Sequence, residues 1–150
     1  PYPDHLDYGE APKGVPESRR LQELEAMPET DRLAWWLGHF NRCIRCYGCR
    51  DVCPVCFCTE CSLEHKELIP AGKLPPDTSF HLVRAVHMAG RCIDCGLCEE
   101  TCPSTIPLRA LYKHVNGLVE GIFQYKTGVP DGKSPFTMLG EESFLPAGMR

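Results

Sequence analysis

No stretch of this sequence is apolar for more than a few residues, so no segment has the length a transmembrane helix needs. A clustered basic excess is also missing. The formal net charge is −4, which excludes the phosphate-tracking surface of a nucleic-acid binder. The opening residues Pro1, Tyr2, Pro3, Asp4 and His5 carry neither the basic nor the apolar part of an export signal, so the cytoplasm is the expected compartment. There is no Ser/His/Asp set, no phosphate-cradling glycine loop and no paired carboxylates. A non-catalytic role is therefore expected, and an enzymatic one stays open. Strand-like alternation is nearly absent as well.

Cysteine, by contrast, is abundant, at 11 in 150 residues. Disulfides are rare in the cytosol, and an odd count resists complete pairing, so this density points to metal. Cys43, Cys46, Cys49 and Cys53 follow the pattern C-x2-C-x2-C-x3-C, with Pro54 next; Cys92, Cys95, Cys98 and Cys102 repeat it, followed by Pro103. This is the bacterial ferredoxin run, whose fourth cysteine ligates the other cluster in two-cluster proteins. The expected assignment is crossed: cluster I takes Cys43, Cys46, Cys49 and Cys102, and cluster II takes Cys92, Cys95, Cys98 and Cys53. A zinc ribbon uses cysteine pairs, not two identical quartets ending in Cys-Pro. Two [4Fe–4S] clusters are the reading. Each quartet also has a glycine beside a central ligand, Gly48 in one and Gly96 in the other.

Cys56, Cys58 and Cys61 follow the first quartet and make a third site one protein ligand short. His65 is the first candidate for the fourth ligand and His39 the second. The site is read as a third [4Fe–4S] cluster, with structural zinc or unligated thiols as alternatives. His81 and His87 are expected to be core or surface histidines, and His5 and His114 lie near no motif. The charges differ between quartets. Arg42, Arg45 and Arg50 outnumber Asp51 in the first, while Asp94, Glu99 and Glu100 outnumber Arg91 in the second, so cluster I is expected to have the higher potential.

The chain divides into an extended N-terminal arm over 1–29 with a short helix near Pro16–Met27, a ferredoxin-like domain over 30–125, and an extended C-terminal arm over 126–150. Tyr2, Leu6, Tyr8, Phe136, Leu139 and Phe144 in the arms are expected to dock on a partner. Thr30 is a candidate cap for a helix with Leu33, Trp36, Leu37 and Phe40 on one stripe, from which Trp35 falls off. A second helix is expected near Thr78–Ala89, with Phe80, Val83, Val86 and Ala89 on one side. A third, near Pro107–Tyr125, should bury Leu108, Leu111, Tyr112, Val115, Leu118, Val119 and Ile122. Gly117 and Gly121 inside it imply close packing.

The order of helix, quartet, loop, helix, quartet and helix resembles the α-helical ferredoxin domain of succinate dehydrogenase iron–sulfur subunits and heterodisulfide reductase small subunits. The resemblance covers Thr30–Tyr125. It implies a mainly α fold, with the β-containing bacterial dicluster ferredoxin as the alternative. The words RCIRCYGCRDVCPVCFC (Arg42–Cys58) and HMAGRCIDCGLC (His87–Cys98) resemble small iron–sulfur subunits that serve tungsten enzymes of the aldehyde oxidoreductase type and related formate dehydrogenase or heterodisulfide reductase partners. The size, the missing flavin motif and the long arms most resemble the small subunit of class II benzoyl-CoA reductases. That resemblance implies electron relay through three [4Fe–4S] clusters to a large catalytic redox subunit holding tungsten-pterin, with further electron-donor subunits possible in the complex. The alternatives are a subunit of a hydrogenase, formate dehydrogenase or heterodisulfide reductase complex, and a freely diffusing ferredoxin.

Overall fold

Leu108, Leu111 and Tyr112 recur at the helical i, i+3, i+4 spacing, and the helix they define organises the rest of the chain. The structure is a computed structural model that describes residues 19–128, 134 and 135. It comprises α1 (Arg19–Glu25), α2 (Glu29–Phe40), α3 (Gly48–Asp51), a 3-10 turn at Ser62–Glu64, α4 (Ser79–Met88), α5 (Leu97–Glu100) and α6 (Leu108–Phe123). Among the described residues there is no strand, so the mainly α reading holds and the β-containing alternative does not. No described helix is long and apolar enough to cross a membrane.

The long helix α6 receives α4, α5 and α1, while α3 packs on α5 and the 3-10 turn on α4. One core joins Phe40, Ala85, Met88, Ile106, Leu108, Leu111 and Tyr112 to Cys49 and Cys98, so the cysteine loops are built into it. A smaller core of Leu63, Ile69 and Phe80 seats the loop after the first quartet. Each of these large apolar side chains stabilises the fold by about 1.5–3 kcal/mol on full burial. Leu21 and Leu24 bury α1 in the same way, whereas the arm aromatics and leucines named above lie outside the described residues.

Several sequence expectations change. Thr30 is not the cap: α2 begins at Glu29 after Pro28, because the proline's fixed φ already sets the first turn. Leu33 is exposed, and only Phe40 of that stripe is fully buried; Trp36 packs on the core edge. On α4 the buried face is Phe80, His81, Arg84, Ala85 and Met88, and Val86 points to solvent. On α6, Leu118 and Ile122 are exposed, whereas Leu108, Ala110, Leu111, Tyr112 and Val119 are buried. Among the described residues Gly117 and Gly121 pack against nothing, since a Cβ at either would meet no atom within 4 Å outside the helix's own backbone.

Candidate metal centres

The two quartets fold alike. Each begins as a loop, turns through two residues of positive φ, forms one helical turn and leaves at Cys-Pro. Arg45 (φ 53°) matches Asp94 (φ 58°), and Tyr47 (φ 61°) matches Gly96 (φ 82°) at the residue before the short helix. The left-handed residue of the first loop is therefore Tyr47, not Gly48. A bulky residue there costs about 1–2 kcal/mol, and its side chain is held on all sides. Arg45 Nε donates to its hydroxyl at 2.9 Å, the hydroxyl donates to Leu63 O at 3.3 Å, and the Arg50 guanidinium lies 4.7 Å from the ring centroid. Gly48 serves another purpose: a Cβ there would come within 3.3 Å of Thr101 Cγ2, where the two repeats meet.

The cysteines of the two repeats are exchanged between two cavities. One is lined by Cys43, Cys46, Cys49 and Cys102, together with His81, Phe80, Ile106 and Leu108. The other is lined by Cys53, Cys92, Cys95 and Cys98, with Met88, Arg109 and Tyr112. The cause is local. Cys49 lies on α3 and Cys53 just beyond it, about 6 Å further along, so one short helix serves both cavities; α5 does the same with Cys98 and Cys102.

Both cavities fit an iron–sulfur group. Four sulfurs face each of them between apolar walls, and each wall also holds one buried polar atom with no partner among the described residues: His81 Nε2 in the first, Tyr112 Oη in the second. Both residues are 2% exposed. A buried orphan of this kind needs an acceptor or donor from whatever fills the space. Burial pushes the Cys49 thiol up to about 11 and Cys98 up to about 12, so a cation at the sulfurs is required for either to be a thiolate. Burial also lowers His81 to about 4, leaving a neutral imidazole.

The third cysteine group lines a cavity of about 740 Å³ between the Cys56–Cys61 loop and α4. Its walls include Cys56, Cys58 and Cys61, and from the far side Arg84, His87 and Arg91. His65 is exposed and is not part of the wall. His39 is elsewhere, 4.0 Å from the Trp35 ring and bonded through Nδ1 to Arg42. Arg84 is a site residue that reading the sequence missed. Fully buried, it donates to Cys56 Sγ at 2.8 Å and to Cys49 O at 2.7 Å, and its guanidinium lies 5.9 Å from the Tyr112 ring centroid. An arginine at the i+4 position from Phe80 on an apolar helix face was the one available signal.

The charges around the quartets are distributed differently from their sequence neighbourhood. Arg109 clasps Asp94 with two bonds of 2.7 and 3.0 Å, and Lys113 adds a third contact at 3.6 Å. Burial pushes the Asp94 carboxyl up, but these cations outweigh it and hold it below the usual range. Glu99 accepts from Arg20 at 2.9 Å. Arg50 is neutralised by Asp51 and Glu64, whereas Arg45 donates to the Ile69 and Pro70 carbonyls and keeps its charge.

Comparison with known proteins agrees with this geometry. Residues 42–107 match the 4Fe-4S dicluster domain family. The chain is 39% identical over 119 residues to the F420-dependent formate dehydrogenase subunit beta of Methanocaldococcus jannaschii, covering 79% of this chain and 31% of that protein. It is 44% identical over 101 residues to the F420-dependent formate dehydrogenase 1 subunit beta of Methanococcus maripaludis, covering 67% of this chain and 26% of that protein. The chain thus spans less than a third of the length of these relatives.

Proposed function

We propose that this chain is an electron-relay component of an oxidoreductase complex of the formate dehydrogenase kind, with its catalytic centre on a larger partner subunit. One observation carries the reading: two cavities of four cysteines each, built from exchanged repeats and joined by the short helices α3 and α5. When bound, [4Fe–4S] clusters supply one-electron storage. Cys43, Cys46, Cys49 and Cys102 would hold one cluster, and Cys53, Cys92, Cys95 and Cys98 the other. Cys56, Cys58 and Cys61 would hold a third, which the soft thiolate donors favour over a harder metal.

The protein supplies the spacing and the insulation. Because α3 and α5 each serve both cavities, Cys49 and Cys98 sit in one core, and clusters held by the two cysteine sets would be neighbours in it. The apolar walls keep water from Cys49 and Cys98, while Cys46 and Cys95 are exposed, and Arg84 would offset negative charge between the centres. The relatives favour a formate dehydrogenase partner over a benzoyl-CoA reductase one, although both partners would ask the same relay of this chain. A tungsten-pterin site belongs to the partner in either case.

The test is anaerobic purification of the tagged chain from its native cells, followed by identification of whatever co-purifies and addition of formate. A formate-oxidising subunit in the eluate, with bleaching of the iron–sulfur absorbance by formate, is expected. A chain that elutes alone and is reduced only by a soluble redox protein would establish the free ferredoxin instead.

A further inference from the structure

The third cysteine group has three thiols and needs a fourth donor. We propose that His87 is that donor, so that Cys56, Cys58, Cys61 and His87 form a three-cysteine, one-histidine site for a [4Fe–4S] cluster. The inference rests on the third-cluster reading above and deepens it. His87 is the one imidazole among the described residues that lines this cavity, across from the three sulfurs. Its position follows from Arg84. Residues three apart lie on one helix face, and Arg84 already touches Cys56 Sγ at 2.8 Å, which brings the following turn of α4, with His87, alongside the thiol loop.

The competing donors are weaker. His65 is only four residues from Cys61, but its side chain does not line the cavity. Asp51, Glu60 and Glu64 line it; Asp51 and Glu64 are engaged by Arg50, at 2.7 and 2.5 Å, which leaves Glu60 as the carboxylate rival. A carboxylate is also a poorer match than imidazole for iron held by thiolates. Arg91, with Arg84, adds positive charge to a wall that faces an anionic cluster. A histidine in place of one cysteine also raises the potential of an iron–sulfur centre, as histidine ligands do in Rieske clusters. The third site would therefore differ from the other two in potential, which a relay needs at one of its ends.

The experiment uses the full chain purified anaerobically as it occurs in its complex, in natural form and with 15N-labelled histidine. Iron and zinc are counted, and the reduced protein is examined by pulsed EPR for nitrogen coupled directly to a cluster. About twelve irons per chain, with a strong nitrogen coupling that changes on histidine labelling, is expected. His87→Ala should remove that coupling, and His65→Ala and His39→Ala should keep it. His87→Cys should keep about twelve irons while losing the coupling, which separates ligation from a failure to fold. Twelve irons without any histidine coupling, or a coupling that survives His87→Ala, would overturn the assignment and leave the third cluster standing. Eight irons, with or without zinc, would overturn the third cluster and this assignment together, leaving the two-cluster relay intact.

Discussion

Arg84 donates to Cys56 Sγ at 2.8 Å from a position that is 2% exposed, and the same guanidinium reaches Cys49 O at 2.7 Å. One buried cation therefore ties the third cysteine group to a ligand of the first cavity. Removing one partner of a buried charged contact leaves the other uncompensated and costs about 3–5 kcal/mol. Arg84→Gln should lower the melting midpoint of the anaerobic protein accordingly, and Arg84→Lys should recover part of the loss by restoring charge without the two-pronged fork. A Gln variant that melts with the wild type would show that Arg84 is not structural.

Much of this was legible in the sequence, for a specific reason. Cysteine spacing acts over three or four residues, so the two quartets could be read directly from Cys43–Cys53 and Cys92–Cys102, and the structure puts Cys102 in the cavity of the first quartet and Cys53 in that of the second. Helix existence was legible from periodicity, since Leu108, Leu111 and Tyr112 leave little choice. Which helix face would be covered was not. Val86 and Leu118 fit the apolar stripes, yet they face solvent. Arg84, His81 and His87 were not legible as site residues. Their roles depend on α4 packing across the cysteine loops, a contact between positions about 30 residues apart. The pairing of Asp94 with Arg109 has the same origin.

Gly117 and Gly121 occupy exposed interior positions of α6, where a methyl group would meet no described atom within 4 Å outside the helix's own backbone. Alanine is better than glycine in such positions by about 0.8–1 kcal/mol each. Gly117→Ala combined with Gly121→Ala should raise the melting midpoint by several degrees, at on the order of 4 °C per kcal/mol. A fall instead would mean that a partner helix packs against these glycines in the assembled complex.

The exchange of cysteines makes an unusual genetic prediction. Cys53 belongs by sequence to the first quartet but lines the cavity of Cys92, Cys95 and Cys98. Cys53→Ala should therefore damage the cluster of the second quartet, and Cys102→Ala that of the first. The EPR signal lost in Cys53→Ala should match the one lost in Cys95→Ala. A match with Cys46→Ala would mean that each quartet serves itself.

Tyr112 Oη is buried at the second cavity with no partner among the described residues. Hydrogen bonds to cluster sulfur raise the potential. Tyr112→Phe keeps the ring and removes only the hydroxyl, so the second cluster should become harder to reduce while the iron count stays unchanged. Redox titration of the variant checks this, and an unmoved midpoint would show that the hydroxyl bonds elsewhere.

The order of the two potentials follows from which charges are left uncompensated. By sequence, the second quartet looks strongly acidic, but Asp94 is clasped by Arg109 and approached by Lys113, and Glu99 is met by Arg20. The first quartet loses Arg50 to Asp51 and Glu64. Arg42, bonded to the His39 ring, and Arg45 remain; the side-chain donors of Arg45 go to the Tyr47 hydroxyl and to the Ile69 and Pro70 carbonyls, none of which carries charge. The Arg45 backbone N–H also donates to Cys43 Sγ at 3.3 Å, which fixes its chain beside that cavity. A charge several ångströms from a cluster, partly shielded by water, interacts with one added electron by about 1–2 kcal/mol. For a one-electron couple, 1.4 kcal/mol corresponds to ~59 mV. The first cluster should therefore accept an electron before the second, by a margin smaller than the bare sequence charges imply. Arg45→Gln should lower its midpoint by roughly 40–90 mV and leave the second cluster nearly unmoved. Potentiometric titration followed by EPR separates the two signals, and reduction of the second cluster first would defeat the argument.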